Sequence, residues 1–226
     1  MFEKFRTRSN QLERLDTGDY TPDEYARWQR EMWWIHRLFG ELRALKHTLL
    51  NEIQRRGERS VSVLDVGAGS GELLAELSKW TKGKSAFFVG LEMAPEAAEA
   101  IMCKGITAVR ADGERLPFAD GAFDYVFCTL MLHHLDDEAA VNVLAEMSRV
   151  ASKRIFAIDL NRDPVPYYLY KYLGRLFLQQ FTIEDGALSI LRSRTESELM
   201  KLAGKAGLRD AKVEHFKANR LVLSAR

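Results

Sequence analysis

With 226 residues, 46% of them hydrophobic, the chain can bury one substantial core and a small appendage. Its 33 basic and 32 acidic side chains leave a formal charge of +1, which argues against a broad footprint for nucleic acid or anionic membrane and leaves room only for a local patch. Two cysteines, no apolar run near the ~20 residues of a bilayer span, and no signal-peptide core give the expectation of a reduced, cytoplasmic protein without stable membrane insertion.

Residues 1–20 are polar, end in the turn-forming Asp16-Thr17-Gly18-Asp19, and read as a mobile tail. Thr21-Pro22-Asp23-Glu24 then has the chemistry of a helix start: a capping hydroxyl, a proline at the first helical position and acids in the first turn. Trp28, Met32, Ile35, Phe39, Leu42, Leu45, Leu49 and Ile53 recur every three or four residues, broken at Gly40 and ended by Gly57. Residues 21–58 therefore form an N-terminal helical segment, read either as packing on the sheet that follows or as a lid.

Val63-Leu64-Asp65-Val66 reads as a strand entering a turn with glycine at positions 67, 69 and 71. Ser70 is placed to cap the helix marked by Leu73, Leu74, Leu77 and Trp80. Such a turn brings a ligand close to the backbone at the positive end of a helix, which suits a cofactor with an anionic tail. Glu72 stands where a dinucleotide fingerprint needs glycine, and the lysine and Ser/Thr of a P-loop are missing. Strands at 86–91, 106–109, 123–128 and 154–159 alternate with helices from Pro95 through Ile101 and over 136–150, which predicts a parallel sheet with right-handed crossovers. A helical aromatic insert, 163–190, interrupts that rhythm. Thr195-Glu196-Ser197-Glu198 opens a last helix ended by Gly207, and 212–216 with 221–224 close the chain as an antiparallel hairpin.

Ligands of such sheets sit beyond the carboxyl ends of the strands, so the residues there carry the chemistry. Glu92 follows the second strand 23 positions after Gly69, near the ~20-residue spacing at which an acid grips a ribose diol. Asp65-x-Gly67-x-Gly69-x-Gly71 resembles the first motif of the class I, Rossmann-like S-adenosylmethionine-dependent methyltransferases. Leu116-Pro117-Phe118 with Phe123-Asp124, and Leu132-His133-His134-Leu135, extend the resemblance over 63–158 to the small-molecule, methyltransferase type 11-like branch. Ala151-Ser152-Lys153-Arg154 departs from the Pro-Gly-Gly turn frequent there.

The resemblance implies a three-layer α/β/α sandwich, with a mostly parallel seven-stranded sheet in residues 59–226 and an antiparallel C-terminal hairpin. It implies S-adenosylmethionine as cofactor, S-adenosylhomocysteine as product, and no metal. The cofactor residues carried over are Asp65, Gly67, Ala68, Gly69, Gly71, Glu92, Met93, Asp112 toward the adenine amine, Gly113, and Cys128 as a small strand-end residue. Arg37 is either a partner of the cofactor carboxylate or an exposed helical arginine.

Methyl transfer is an in-line displacement for which alignment in a dry pocket supplies much of the rate. For a hydroxyl acceptor, His133 or His134 is a candidate base, with a structural role the alternative for each, and Asp159 is a further candidate. Cys128-Thr129-Leu130-Met131 lacks the Asn/Asp-Pro-Pro-Tyr/Phe of base-amine methylation. Tyr167, Tyr168 and the rest of the insert line a lipophilic acceptor pocket or form a dimer face, and Arg192 either joins that pocket or ties the insert to the sheet. The order of these segments looks like a bacterial group often encoded beside type III polyketide synthases, which points to phenolic or quinone-like lipophilic acceptors. The expectation is O-methylation by a monomer or homodimer, and the near-neutral charge adds that no nucleic acid is a partner. A cofactor-binding regulatory module without turnover and an RNA methyltransferase are the alternatives.

Overall fold

Apolar runs of the kind buried on both faces build the sheet. The computed structural model describes residues 3–226; Met1 and Phe2 of the expected tail, and the side chains of His36, Leu38 and Phe39, lie outside the described residues. After a short 3-10 turn at Glu3–Phe5 come α1 (Arg14–Thr17), α2 (Pro22–Phe39) and α3 (Glu41–Leu45), a π-helical turn (Lys46–Leu50) and α4 (Asn51–Arg55). The sheet domain follows with β1 (Ser60–Val66), α5 (Glu72–Trp80), β2 (Ser85–Glu92), α6 (Pro95–Met102), β3 (Thr107–Arg110), β4 (Phe123–Thr129), α7 (Asp137–Val150) and β5 (Ala151–Leu160). The insert is α8 (Pro164–Leu173), a 3-10 turn (Gly174–Leu176) and α9 (Gln180–Arg192), and the chain closes with α10 (Glu196–Lys205), β6 (Lys212–Phe216) and β7 (Arg220–Ala225).

The seven strands run in the order β3-β2-β1-β4-β5-β7-β6, parallel from β3 to β5, with β7 antiparallel to both β5 and β6. Chain order reverses between β1 and β4, which opens a crevice at their carboxyl ends. One face packs on α7 and α10 through Val143, Leu144, Met147, Leu199 and Leu202. The other packs on the 41–55 helical stretch, α5 and α6 through Leu45, Leu49, Ile53, Leu74, Leu77 and Ile101. Each such side chain contributes on the order of 1.5–3 kcal/mol, so both helical layers are integral to folding. Among the described residues no helix is long and apolar enough to cross a membrane.

The predicted helix start at Thr21 is a full capping box, with the Thr21 hydroxyl on the Glu24 amide and the Glu24 carboxylate on the Thr21 amide. Of the two readings of residues 21–58, the stretch 41–55 takes the packing one and forms a layer of the sandwich, because Ala44, Leu45, Leu49 and Ile53 are fully buried beneath the sheet. Two expectations change. Ser70 does not cap α5: Gly71, left-handed at φ 81°, holds the N-cap position, and the Ser70 hydroxyl turns to Glu72. Residues 3–20, expected to be a mobile tail, are seated instead: Phe5 packs edge-on against Tyr167, the Ser9 amide donates to the Leu191 carbonyl, and Glu13 is buried.

Candidate active site

β1 carries Asp65 one residue before its end, flanked in the sheet by Gly90 of β2 and Phe127 of β4, and the chain then turns sharply at Gly67 (φ 72°), Gly69 (φ 55°) and Gly71 (φ 81°). A Cβ on Gly67 would stand 3.0 Å from Met131 Sδ and one on Gly71 3.1 Å from Ile101 Cγ1, so packing and backbone together require glycine at both. Nothing lies within 4 Å of a Cβ on Gly69, so open space fronts the centre of the turn. Glu92, at the end of β2, accepts the Gly69 amide at 2.6 Å and the Met93 amide at 3.1 Å. Burial raises its pKa above the ordinary carboxylate value, and those two amides only partly offset it.

Asp65 is the anomaly of this crevice. Its side chain is fully buried, and neither oxygen has a hydrogen-bond partner among the described residues. Burial, and then the charge of Glu92, push its pKa well above the usual range. A buried carboxylate without a partner is costly, and a cationic ligand group removes the cost. The α-ammonium of S-adenosylmethionine is such a group, the open face of Gly69 admits a ligand, and Glu92 carries acceptors suited to a ribose diol. The residues present therefore fit that cofactor.

The other expected cofactor residues divide. Gly113 is packed against Val66 and Met131, and Cys128 is buried beside β5, its thiol pushed up by burial and then by Asp159 and Asp65. Ala68 lies in the turn, its amide donating to the Leu91 carbonyl at 3.1 Å. Asp112 and Met93 are exposed at the rim, with Asp112 Oδ1 accepting the Glu114 amide at 2.9 Å. Arg37 is not brought into this group by any described contact. Its guanidinium lies 5.1 Å from the Trp33 ring centre, and it lines a cleft of about 460 Å³ with Leu42, His47 and Trp80.

Beyond β4, Leu130 takes a left-handed backbone (φ 50°) and a 3-10 turn, Leu132–His134, brings both histidines over the strand ends. His133 Nδ1 lies 2.7 Å from Asp159 Oδ1, and the His133 amide donates to Asp159 Oδ2 at 2.9 Å. Both side chains are buried. Burial works against the Asp159 charge, yet His133 and the amides of His133 and Leu160 hold its pKa below the usual value. An ionised Asp159 accepts a hydrogen bond from Nδ1–H, which fixes the tautomer with Nε2 as the basic nitrogen.

Glu13, which sequence reasoning missed, faces that nitrogen. Its Oε1 is 3.9 Å from His133 Nε2 and accepts the Ser189 hydroxyl at 2.9 Å. Burial raises its pKa to about 7 against the opposing effects of His134, Ser189 and Arg192. His134 is less buried and lies 3.0 Å, through Nδ1, from Asp16 Oδ1. Burial disfavours the Asp16 charge, but His134 and Arg192 hold the carboxyl far below the usual range.

Arg192 pairs with Asp16, stands 3.6 Å from Glu13 and donates to the His134 carbonyl at 3.1 Å; it ties strap, insert and histidine turn together and is not a free pocket cation. Arg8 reaches the carbonyls of His133 and Leu135, and Arg194 those of Leu132, Leu135 and Asp136. Residues 8–17 thus form a strap across the histidines. Glu13, His133 and His134 offer ligand atoms within 4.8 Å of one another, but Ser189, Arg192, Asp159 and Asp16 already engage them, so they read as an acid–base cluster. Tyr167 and Tyr168, expected in the acceptor pocket, pack on Phe5 beneath Lys4, whose ammonium lies 3.8 Å from the Tyr167 ring centre.

Sheet order, glycine turn and strand-end acids are those of the class I S-adenosylmethionine-dependent methyltransferases, and residues 63–154 carry the domain of that family. Residues 63–154 match the family described as Methyltransferase domain. The chain is similar to the ubiquinone/menaquinone biosynthesis C-methyltransferase UbiE of Citrifermentans bemidjiense, 29% identical over 69% of this chain and 74% of that one. It is equally similar to the ubiquinone biosynthesis O-methyltransferase of Pseudomonas paraeruginosa, 29% identical over 69% and 67%. Among solved structures, a SAM-dependent methyltransferase from Aquifex aeolicus shares the fold with a TM-score of 0.56 at 19% identity, covering 84% of this chain and 95% of that one.

Proposed function

We propose that this methyltransferase acts on an oxygen of a small, largely apolar acceptor of phenolic or quinol type. The observation that carries the reading is the buried His133–Asp159 pair at the carboxyl ends of β4 and β5, a base oriented by a carboxylate and shielded from water. The two relatives methylate carbon in one case and oxygen in the other, by their names, and similarity to them does not choose between the atoms. An imidazole whose basic Nε2 is faced, among the described residues, only by the Glu13 carboxyl of the strap, at 3.9 Å, favours oxygen, because a phenolic proton must leave as the carbon–oxygen bond forms.

When bound, S-adenosylmethionine supplies a methyl group on a sulfonium that departs as a neutral thioether. Asp65 holds the cofactor's ammonium and Glu92 its ribose hydroxyls, with Asp112 at the adenine end. Asp159 fixes the His133 tautomer, and Nε2 receives the acceptor's hydroxyl proton. The strap carrying Glu13 lies over His133, so the acceptor enters when the strap lifts, and its return excludes water. The test is incubation with S-adenosylmethionine and a panel of phenols and hydroquinones, with products read by mass spectrometry and NMR. Methyl ethers are expected from the wild type and a loss of turnover from His133→Gln; methyl on carbon or nitrogen, or methylation of RNA alone, refutes the reading.

A further inference from the structure

The insert that closes the site has two faces of opposite character. Inward, Tyr167 is buried and the Tyr170 hydroxyl donates to the Thr182 carbonyl at 2.9 Å. Outward, Val165, Leu169, Tyr172 and Leu173 recur at helical spacing, and the following turn continues the stripe through Leu176 and Phe177, which are 71% and 79% exposed. A nearby aromatic extends it. Glu31 of α2 accepts the Gln179 amide at 3.1 Å, and Trp34, one turn further along α2, is 55% exposed.

Charge identifies the occupant of this face. Residues 164–178 contain Lys171 and Arg175 and no acid, although the whole chain is nearly neutral. Arg175 lies 5.6 Å from the ring centre of the exposed Tyr172, beside the stripe, and the half-buried Lys171, 5.7 Å from that of the buried Tyr167, stands at the edge between the two faces. A twofold contact between two copies would set the same basic rim against itself with no acid in the segment to offset it. An anionic lipid surface offsets it directly.

We infer that α8 and the turn after it dock reversibly on an anionic bilayer, with Leu176, Phe177 and the stripe behind them at the headgroup boundary and Lys171 and Arg175 on lipid phosphates. The opposite side of the insert carries Ser189 and Arg192 to the strap, so docking brings the site beside the phase in which an apolar acceptor concentrates. The inference does not depend on which acceptor is methylated, and its test uses no turnover.

The full chain is floated on density gradients with vesicles of phosphatidylcholine alone or mixed equally with phosphatidylglycerol, and each variant's S-adenosylhomocysteine affinity is measured to show that it is folded. Binding to the mixed vesicles, roughly tenfold or more tighter than to neutral ones and weakened by salt, is expected. The exposed double variants Leu176→Ser/Phe177→Ser and Lys171→Glu/Arg175→Glu each lower it about tenfold or more with nucleotide affinity unchanged. Absence of flotation, equal binding to neutral vesicles, or insensitivity to both variants overturns the inference. So does a wild-type dimer, by light scattering, that becomes a monomer in the Leu176→Ser/Phe177→Ser variant, since that outcome assigns the face to a second copy.

Discussion

Replacing Asp65 by asparagine separates what this residue does for ligand binding from what it does to the fold. Its two oxygens are buried and have no hydrogen-bond partner among the described residues. Asparagine removes the ionisable group but keeps a buried amide, so the Asp65→Asn protein is expected to gain on wild type only as rising pH ionises Asp65, by up to about 1–3 kcal/mol or roughly 2–10 °C in melting temperature. The same change deletes a charged hydrogen bond to the cofactor's ammonium, about 1.5–3 kcal/mol, and weakens S-adenosylhomocysteine binding roughly 10- to 150-fold.

The pH dependence has a definite sign. Because burial raises the folded pKa of Asp65 above its unfolded value, the stability it contributes is complete below the unfolded pKa and is lost as pH rises through the folded one. Wild type carries that slope and the asparagine variant does not. Thermal melts across pH and calorimetric titration with S-adenosylhomocysteine measure both effects. A variant that melts lower than wild type, with nucleotide affinity unchanged, would refute the assignment of Asp65.

The glycine turn divides in the same way: Gly69→Ala, facing open space but with φ 55°, should lower stability by only about 1 kcal/mol while weakening nucleotide binding. Gly71→Ala, with φ 81° and Ile101 at 3.1 Å, should lose about 2–3 kcal/mol by chemical denaturation. His133→Ala and Asp159→Asn should each reduce turnover roughly 10²- to 10⁴-fold in a methyl-transfer assay and leave nucleotide affinity near wild type; equal losses in both quantities would argue against a proton-transfer role. Glu13 titrates near 7, above its unfolded value, so wild type should lose about 1 kcal/mol relative to Glu13→Gln as pH rises from about 6 to 8, measured by paired thermal melts.

Local chemistry wrote much of this architecture into the sequence. The capping boxes at Thr21 and Thr195 and the left-handed glycine at position 57 act within a few residues, and the structure keeps each of them. Asp65 and Glu92 were legible as candidate site residues because they interrupt or terminate apolar strands whose burial pattern is otherwise continuous.

The strap was not legible, and the reason is physical. Glu13 and Asp16 sit in a stretch without apolar periodicity, and their partners Ser189 and Arg192 lie 176 residues away in sequence. A segment held by polar groups reaching buried arginines and backbone carbonyls has the same composition as a solvated tail. Arg37 and Tyr167 show the converse, since helical spacing names a face but not what lies against it, and their neighbours are Trp33 and Phe5. The sequence by itself determined the crevice proposed for the cofactor, whose turn and acids are local to consecutive strand ends. Only the tertiary structure decided what covers His133, because that contact joins the first residues of the chain to an insert beyond the fifth strand.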